Sequence, residues 1–202
     1  KAHMKTIEVL GTIIECRNLE SEEHIRHIKG YTRILAEELM KEYPEYGLTQ
    51  KNVEVIVSAS ALHDIGKITI PDSILLKPGK LNNEEYEYIK SHTTRGGELL
   101  TSIKGIWDEE CEKVSYEICR HHHERYDGKG YPCGLVGEHI PEVARIIGIA
   151  DAYDAMSSRR VYRDSLPGDV IRKELENGRG KQFDPKFTDV FIRLLDEGKI
   201  KF

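Results

Sequence analysis

At 202 residues the chain is long enough for one large domain or two small ones, with a proper core. Charged residues make up 32% and the net charge is −5, which argues against a surface that coats polymeric nucleic acid, though a local basic pocket stays open. The four cysteines form no CxxC pair and read as reduced thiols of a cytoplasmic protein, and no apolar run approaches the ~18 residues of a membrane span.

Lys1-Ala2-His3-Met4 reads as a cloning remnant, so residues 5–202 are taken as the domain and His3 is left out of any metal site. So abrupt a start implies an upstream regulatory domain outside this stretch. From Thr6 to about Arg17, Ile7, Leu10, Ile13 and Ile14 recur at helical spacing. After a polar turn, a second helix carries Ile25, Ile28, Leu35 and Leu39 on one stripe, until Tyr43-Pro44 and Gly47 stop it. Thr49 can cap a third helix, whose core face is Val53, Ile56, Val57 and Ala61 and whose end delivers His63 and Asp64. Pro71, Pro78 and Gly79 break the pattern into a loop with about one helical turn. Asn82 or Asn83 caps the next helix, which runs through Tyr88 and Ile89 to His92. A segment at Gly96 to Ile103 and a helix from about Asp108 to the run His121-His122-His123 follow. A Gly-rich stretch extends to His139. Pro141 then suits a helix N1 position, before Val143, Ile146, Ile147, Ala150 and Asp151. Two weaker helices close the chain, from about Pro167 to Glu176 and from Pro185 to Glu197. β alternation, internal repeats and linkers are missing, so the reading is a single all-α domain.

The side chains that make good divalent ligands cluster at helix ends: Glu20, His24, His63, Asp64, His92, His122, His123 and Asp151. Each has a bland explanation alone. His24 suits a helix surface, His92 suits a helix C-terminus, where the dipole favours it, and Asp151 can pair with Arg145 or Arg159. His63 and Asp64 point about 100° apart on a helix, so they meet one ion only if the helix end tips into a cleft. Together, five of the nine histidines and three carboxylates point to two or three divalent ions. That mixture suits Fe, Mn, Ni or Zn better than Ca or Mg, and the lack of Cys disfavours a closed structural zinc site. Asp64 has a second oxygen free to bridge.

The ordered motifs resemble the HD-GYP family of HD-superfamily phosphohydrolases. They are His63-Asp64-Ile65-Gly66-Lys67, Ile70-Pro71-Asp72, Lys77-Pro78-Gly79-Lys80-Leu81, His92 and His122-His123-Glu124, continuing through Asp127-Gly128 to Gly130-Tyr131-Pro132. Gly134-Leu135, Gly137-Glu138, Ile140-Pro141, Ala144-Arg145-Ile146, Ile149-Ala150-Asp151, Tyr153-Asp154-Ala155 and Gln182-Phe183-Asp184-Pro185 complete the match from Glu20 to about Leu195. The resemblance implies an all-α HD fold, with the Gly-rich loop over a metal cleft. It also implies hydrolysis of cyclic di-GMP to pGpG, and on to GMP, with two or three transition-metal ions, Fe or Mn in the first place. In the family's pattern His24, His63, Asp64, His92, His122, His123 and Asp151 ligate metal, Asp64 bridges, and Glu20 adds a third site. Asp64 and Lys67 would be catalytic, and Lys67, Tyr131, Arg160 and Arg163 would contact substrate. Where the family usually has Arg, this chain has His27, which with Glu23 offers a second pair four residues apart. Motif register favours Glu20 and His24. Val161 replaces a frequent Pro, with little consequence expected. Two alternatives stand beside this reading. One is an HD phosphohydrolase for another cyclic dinucleotide, such as cyclic GMP-AMP. The other is a module whose Gly-rich loop docks a signalling-protein partner with marginal catalysis. A homodimer is compatible with each.

Overall fold

The computed structural model describes residues 2–17, 22–158 and 165–200. Ten α-helices run through them, with 3-10 turns between, and only two isolated β-bridges occur, so the all-α expectation holds among the described residues. The first helix, α1, is Ala2–Arg17, and α2 is Glu22–Glu42. Helix α3, Gln50–Ala59, begins at the expected cap: Thr49 accepts from the Asn52 amide and the Asn52 side chain answers to the Thr49 amide. Such reciprocal caps each satisfy two amides that the helix leaves unpaired.

Here the expectation needs its first correction. Helix α3 does not carry His63 and Asp64. It ends at Ala59, tightens into a 3-10 turn at Ser60–Leu62, and a second 3-10 turn follows at Ile65–Thr69. The His-Asp pair sits at the joint, where Asp64 has left helical geometry with φ −103° and ψ 14°. The joint supplies the tilt that a straight helix denies to adjacent side chains. The expected single turn in the following loop is α4, Asp72–Leu75.

A second correction concerns His92. Asn82 caps α5, Asn83–Lys90, through a capping box with Glu85. The chain bends at Ser91, and His92 opens α6, His92–Ser102, rather than closing the helix before it. Helix α7, Glu109–His121, starts on Asp108, which accepts from the Cys111 amide. Helix α8 is Glu142–Ser157; Pro141 stands at its N-cap rather than at the expected N1 position. Helices α9, Gly168–Gly178, and α10, Pro185–Asp196, close the fold.

Two apolar cores hold these elements. The larger joins α2, α3, α8, α9 and α10 through Ile28, Leu35, Ile56, Ile146, Tyr153, Phe187 and Phe191, among others, all but fully buried. The smaller packs α1 onto the His-Asp joint through Ile7, Ile14, Leu62, Ile65 and Leu100. Each such side chain contributes about 1.5–3 kcal/mol by leaving water. Helices α8 and α10 are further tied by a buried ion pair, Arg145 Nη1 to Asp184 Oδ2 at 2.6 Å, and Asp184 also caps α10. The metal-grade side chains come from the first turns of α2 and α6, the end of α7, the middle of α8 and the His63-Asp64 joint.

Candidate metal centre

Two groups of ligand-type side chains converge. One is Asp64, His92, His122 and His123; the other is His24, His63 and Asp151. In each group the ligand atoms lie within 4.8 Å of one another. Seven of the eight sequence-derived ligands are therefore gathered at one place. The eighth, Glu20, lies outside the described residues, as do Arg160 and Arg163.

The imidazoles are aimed by their own backbone. His63 Nδ1 donates to the Ser60 carbonyl at 2.9 Å, and His92 Nδ1 to the Ile89 carbonyl at 2.7 Å. His122 Nδ1 reaches the Ile118 and Cys119 carbonyls at 3.0 and 3.1 Å. A carbonyl only accepts, so in these three rings the proton sits on Nδ1 and the Nε2 lone pair faces the site. Burial pushes the His122 pKa down, and burial with the His122 and His92 charges pushes His123 well down, which keeps both rings neutral and able to ligate. His92 Nε2, His122 Nε2 and Asp64 Oδ1 are buried and make no hydrogen bond. Buried polar atoms left in that state are costly unless an ion satisfies them. The donor set thus fits a divalent cation.

Asp64 stands between the groups. Its Oδ1 lies 3.1 Å from His92 Nε2 and 3.6 Å from His122 Nε2, and its Oδ2 lies 3.3 Å from His63 Nε2. Lys67 Nζ is 2.6 Å from Oδ2. Burial alone would raise this carboxyl's pKa; the Lys67 ammonium and His63 outweigh it and hold the group well below the usual carboxylate range. A carboxylate with one oxygen toward each imidazole group is placed to bridge.

Tyr131 roofs the site. Its ring stacks on His123, with centroids 4.9 Å apart and planes at 23°, and Lys90 Nζ lies 5.4 Å from the Tyr131 centroid. The loop reaches this position because Gly130 presses on the chain after α7, where a Cβ would lie 2.6 Å from the Glu124 Cα.

Sequence reading missed two supporting residues. Asp154 divides its carboxylate between two histidines: Oδ2 takes His24 Nδ1 at 2.7 Å and Oδ1 takes His27 Nδ1 at 2.8 Å. His27 therefore stands behind the site with Asp154 and belongs to neither converging group. The signal was present, since Asp154 lies three residues after Asp151 and shares its helix face. Asp154→Asn is expected to weaken metal binding about 10–100-fold, because an amide no longer fixes the His24 tautomer and ring plane. Competition with a chelating dye measures it, and an unchanged affinity removes Asp154 from this role.

Arg17 is the other. From the end of α1 its guanidinium donates to the carbonyls of Lys67, Ile68 and Ile70 at 3.1, 2.7 and 2.8 Å, and to Asp72 at 2.8 Å. Nothing in the pattern of a lone Arg at a helix end announces that role. It staples the 3-10 turn that presents Lys67. Arg17→Ala is expected to cost about 1–3 kcal/mol of stability. Turnover should fall about tenfold, with partial recovery in Arg17→Lys. Metal content should stay unchanged, and turnover measured beside metal analysis separates the two effects.

A family profile described as an HD domain matches residues 15–187. The chain is 40% identical, over 94% of its length, to the "Cyclic di-GMP phosphodiesterase response regulator RpfG" of Xanthomonas campestris. It is 38% identical over 93% to the "3'3'-cGAMP-specific phosphodiesterase 2" of Vibrio cholerae, and 38% over 96% to a cyclic di-GMP phosphodiesterase of Thermotoga maritima. These matches take up 47%, 34% and 50% of the relatives, so the chain spans half their length or less. Among solved structures, a cyclic GMP-AMP specific phosphodiesterase of V. cholerae superposes with a TM-score of 0.70 at 18% identity, over 98% of this chain and 49% of that one. Bd1817, an HDG"Y"P protein from Bdellovibrio bacteriovorus, superposes with 0.61 at 20%, over 87% of this chain and 54% of that one. At those identities the likeness speaks for the fold.

Proposed function

The chain belongs to the HD-domain family, and from that premise we propose that it is a phosphodiesterase of the HD-GYP type that hydrolyses cyclic di-GMP to pGpG, and pGpG in turn to GMP. The observation that carries the reading is the pinned set of imidazoles: three rings with Nδ1 held by carbonyls and Nε2 turned toward a carboxylate able to bridge. His92, His122, His123 and Asp64 would hold one ion, and His24, His63 and Asp151 a second, with Glu20 available for a third. Iron or manganese suits this mixed imidazole and carboxylate set in the first place, with nickel or zinc behind them. When bound, such ions polarise the phosphodiester and acidify a water to a nucleophile near neutral pH.

The chain's own residues do the rest. Asp64 keeps its charge through burial because Lys67 sits against it, and Lys67 brings its ammonium to the place where a phosphoryl oxygen gains charge. The backbone carbonyls behind His63, His92 and His122 prevent these rings from turning when substrate arrives. Tyr131 shields one flank from water through its stack on His123, and it offers a guanine-sized aromatic face beside Lys90. Arg160 and Arg163 would add cationic contacts to the phosphates. No helix among the described residues is long and apolar enough to cross a membrane, and we place the enzyme in the cytoplasm, in keeping with its unpaired cysteines.

A second dinucleotide has a specific observation in its favour: a relative at 38% identity is named for 3'3'-cGAMP. Metal-replete protein given each cyclic dinucleotide, with products resolved by ion-exchange chromatography, decides between them. The expected result is pGpG from cyclic di-GMP, followed by GMP, at a higher kcat/KM than for cyclic GMP-AMP. A reversed preference installs the second substrate, and turnover of neither by protein that holds its ions overturns the reading.

A further inference from the structure

A third convergence of metal-grade side chains lies outside the seven-residue cluster. His121, Glu124 and Cys133 each present one ligand atom, all within 4.8 Å of one another. His121 is the last residue of α7, and Cys133 follows Tyr131-Pro132 in the Gly-rich loop. The loop folds back because both oxygens of Glu124 accept from it: the Cys133 amide at 2.7 Å and the Leu135 amide at 3.0 Å. That fold brings a thiol to a carboxylate far from it in space along the extended chain.

The electrostatics of this corner are incomplete. The Glu124 side chain is 0% exposed, and its one ion-pair partner among the described residues is His121 Nδ1 at 3.6 Å. That separation is beyond hydrogen-bonding reach, and Nδ1 is itself buried without a hydrogen-bond partner. No lysine or arginine among the described residues pairs with this carboxylate. A charge buried in that way is costly unless a cation meets it. Two ligands of one tetrahedral ion stand about 3.3–3.8 Å apart, given metal–ligand bonds of about 2.0–2.3 Å, so the 3.6 Å gap has the width such an ion requires. Each Glu124 oxygen accepts one amide and keeps a second lone pair. Cys133 is exposed, which leaves the site an entrance from solvent.

We propose that His121, Glu124 and Cys133 form a separate site, outside the seven-residue cluster, for a thiophilic divalent cation, Zn²⁺ above others, with water completing the shell. Nitrogen, carboxylate oxygen and thiolate sulfur together select zinc over the harder ions that suit the imidazole and carboxylate cluster. Occupancy would tie the loop that carries Tyr131 to the end of the helix that leads into His122 and His123.

The test uses Co²⁺ as a spectroscopic stand-in for Zn²⁺, added to protein whose other ions are already in place. The seven-residue cluster contains no cysteine, so a thiolate-to-cobalt charge-transfer band in the near ultraviolet reports this site alone, whatever substrate the enzyme turns over. About one equivalent of Co²⁺ should develop the band, and Zn²⁺ should displace it. Cys133→Ser should abolish the band, Cys16→Ser, which alters the other exposed thiol, should leave it intact, and His121→Gln should weaken Co²⁺ binding at least tenfold. A thermal melt of each variant shows that it is folded. Absence of the band in the wild-type protein, its survival in Cys133→Ser, its loss in Cys16→Ser, or unchanged affinity in His121→Gln overturns the proposal.

Discussion

Asp64→Asn is expected to cut phosphodiesterase turnover about a thousandfold or more, close to 4 kcal/mol of transition-state stabilisation, and to release at least one ion per chain. The reason is local. Asp64 turns one oxygen toward His92 and His122 and the other toward His63 and Lys67, so both halves of the site depend on one carboxylate. Asparagine matches its shape and keeps one oxygen, but it replaces the second with a donor and removes the charge. Either orientation of the amide sets an N–H₂ group against cation-seeking imidazoles or against the Lys67 ammonium, and a divalent ion loses its shared anionic ligand. Because the volume is conserved, the fold should survive, and circular dichroism should match the wild type. Elemental analysis with chromatographic turnover measures both effects. Full metal content with full activity in this variant would contradict the bridging role.

Gly66→Ala should be as damaging, by a different route. A Cβ at this position would overlap the His92 carbonyl oxygen and lie 2.7 Å from both the His92 carbonyl carbon and the Gly96 nitrogen. These are backbone atoms of the first turn of α6, so no side chain can step aside. The obstruction is lack of space rather than backbone angle. To admit one methyl group, the turn that carries Asp64 and Lys67 must move off the helix that carries His92. Overpacking against backbone costs roughly 3 kcal/mol or more. For a chain of this size that lowers Tm by about 6–12 °C. The same displacement separates Asp64 from His92, so metal affinity should fall along with stability. Calorimetry on metal-loaded and chelated samples reads both, and an unchanged Tm in each would show that the two backbones are not locked together here.

Both predictions concern the joint at His63 and Asp64, and that joint shows how far sequence reading reaches. The helical stripes of α2 and α3, the caps at Thr49 and Asn82, the start of a helix near Asp108, and the stop at Tyr43-Pro44 were legible because each depends on spacing or on a residue's local hydrogen bonds. The ligand set was legible by residue type and by the order of its motifs, and seven members of it meet in space. The tightening of the chain into two 3-10 turns around the His-Asp pair was not, because it follows from the contact of Gly66 with Gly96, thirty residues away. The assignment of His92 to the end of a helix failed for a related reason. The bend at Ser91 carries no Gly or Pro, and the new helix starts where packing on that turn requires it.

What the amino-acid sequence determined by itself is the class of fold and the kind of chemistry: apolar spacing of about 3.6 residues selects helices, and an ordered set of imidazoles and carboxylates selects transition-metal ions. What only the tertiary structure decided is which atoms face one another. Backbone carbonyls hold Nδ1 of His63, His92 and His122, Asp154 takes His24 and His27 together, Arg17 fastens the turn of Lys67, and Glu124 draws Cys133 toward His121. Each of these is a directional contact between particular atoms; those of Asp154 and Arg17 join residues fifty or more apart in the chain, and those behind the imidazoles and at Glu124 span three to nine residues. Hydrogen-bond geometry is specific to a few tenths of an ångström, whereas residue spacing specifies only which face of a helix a side chain occupies.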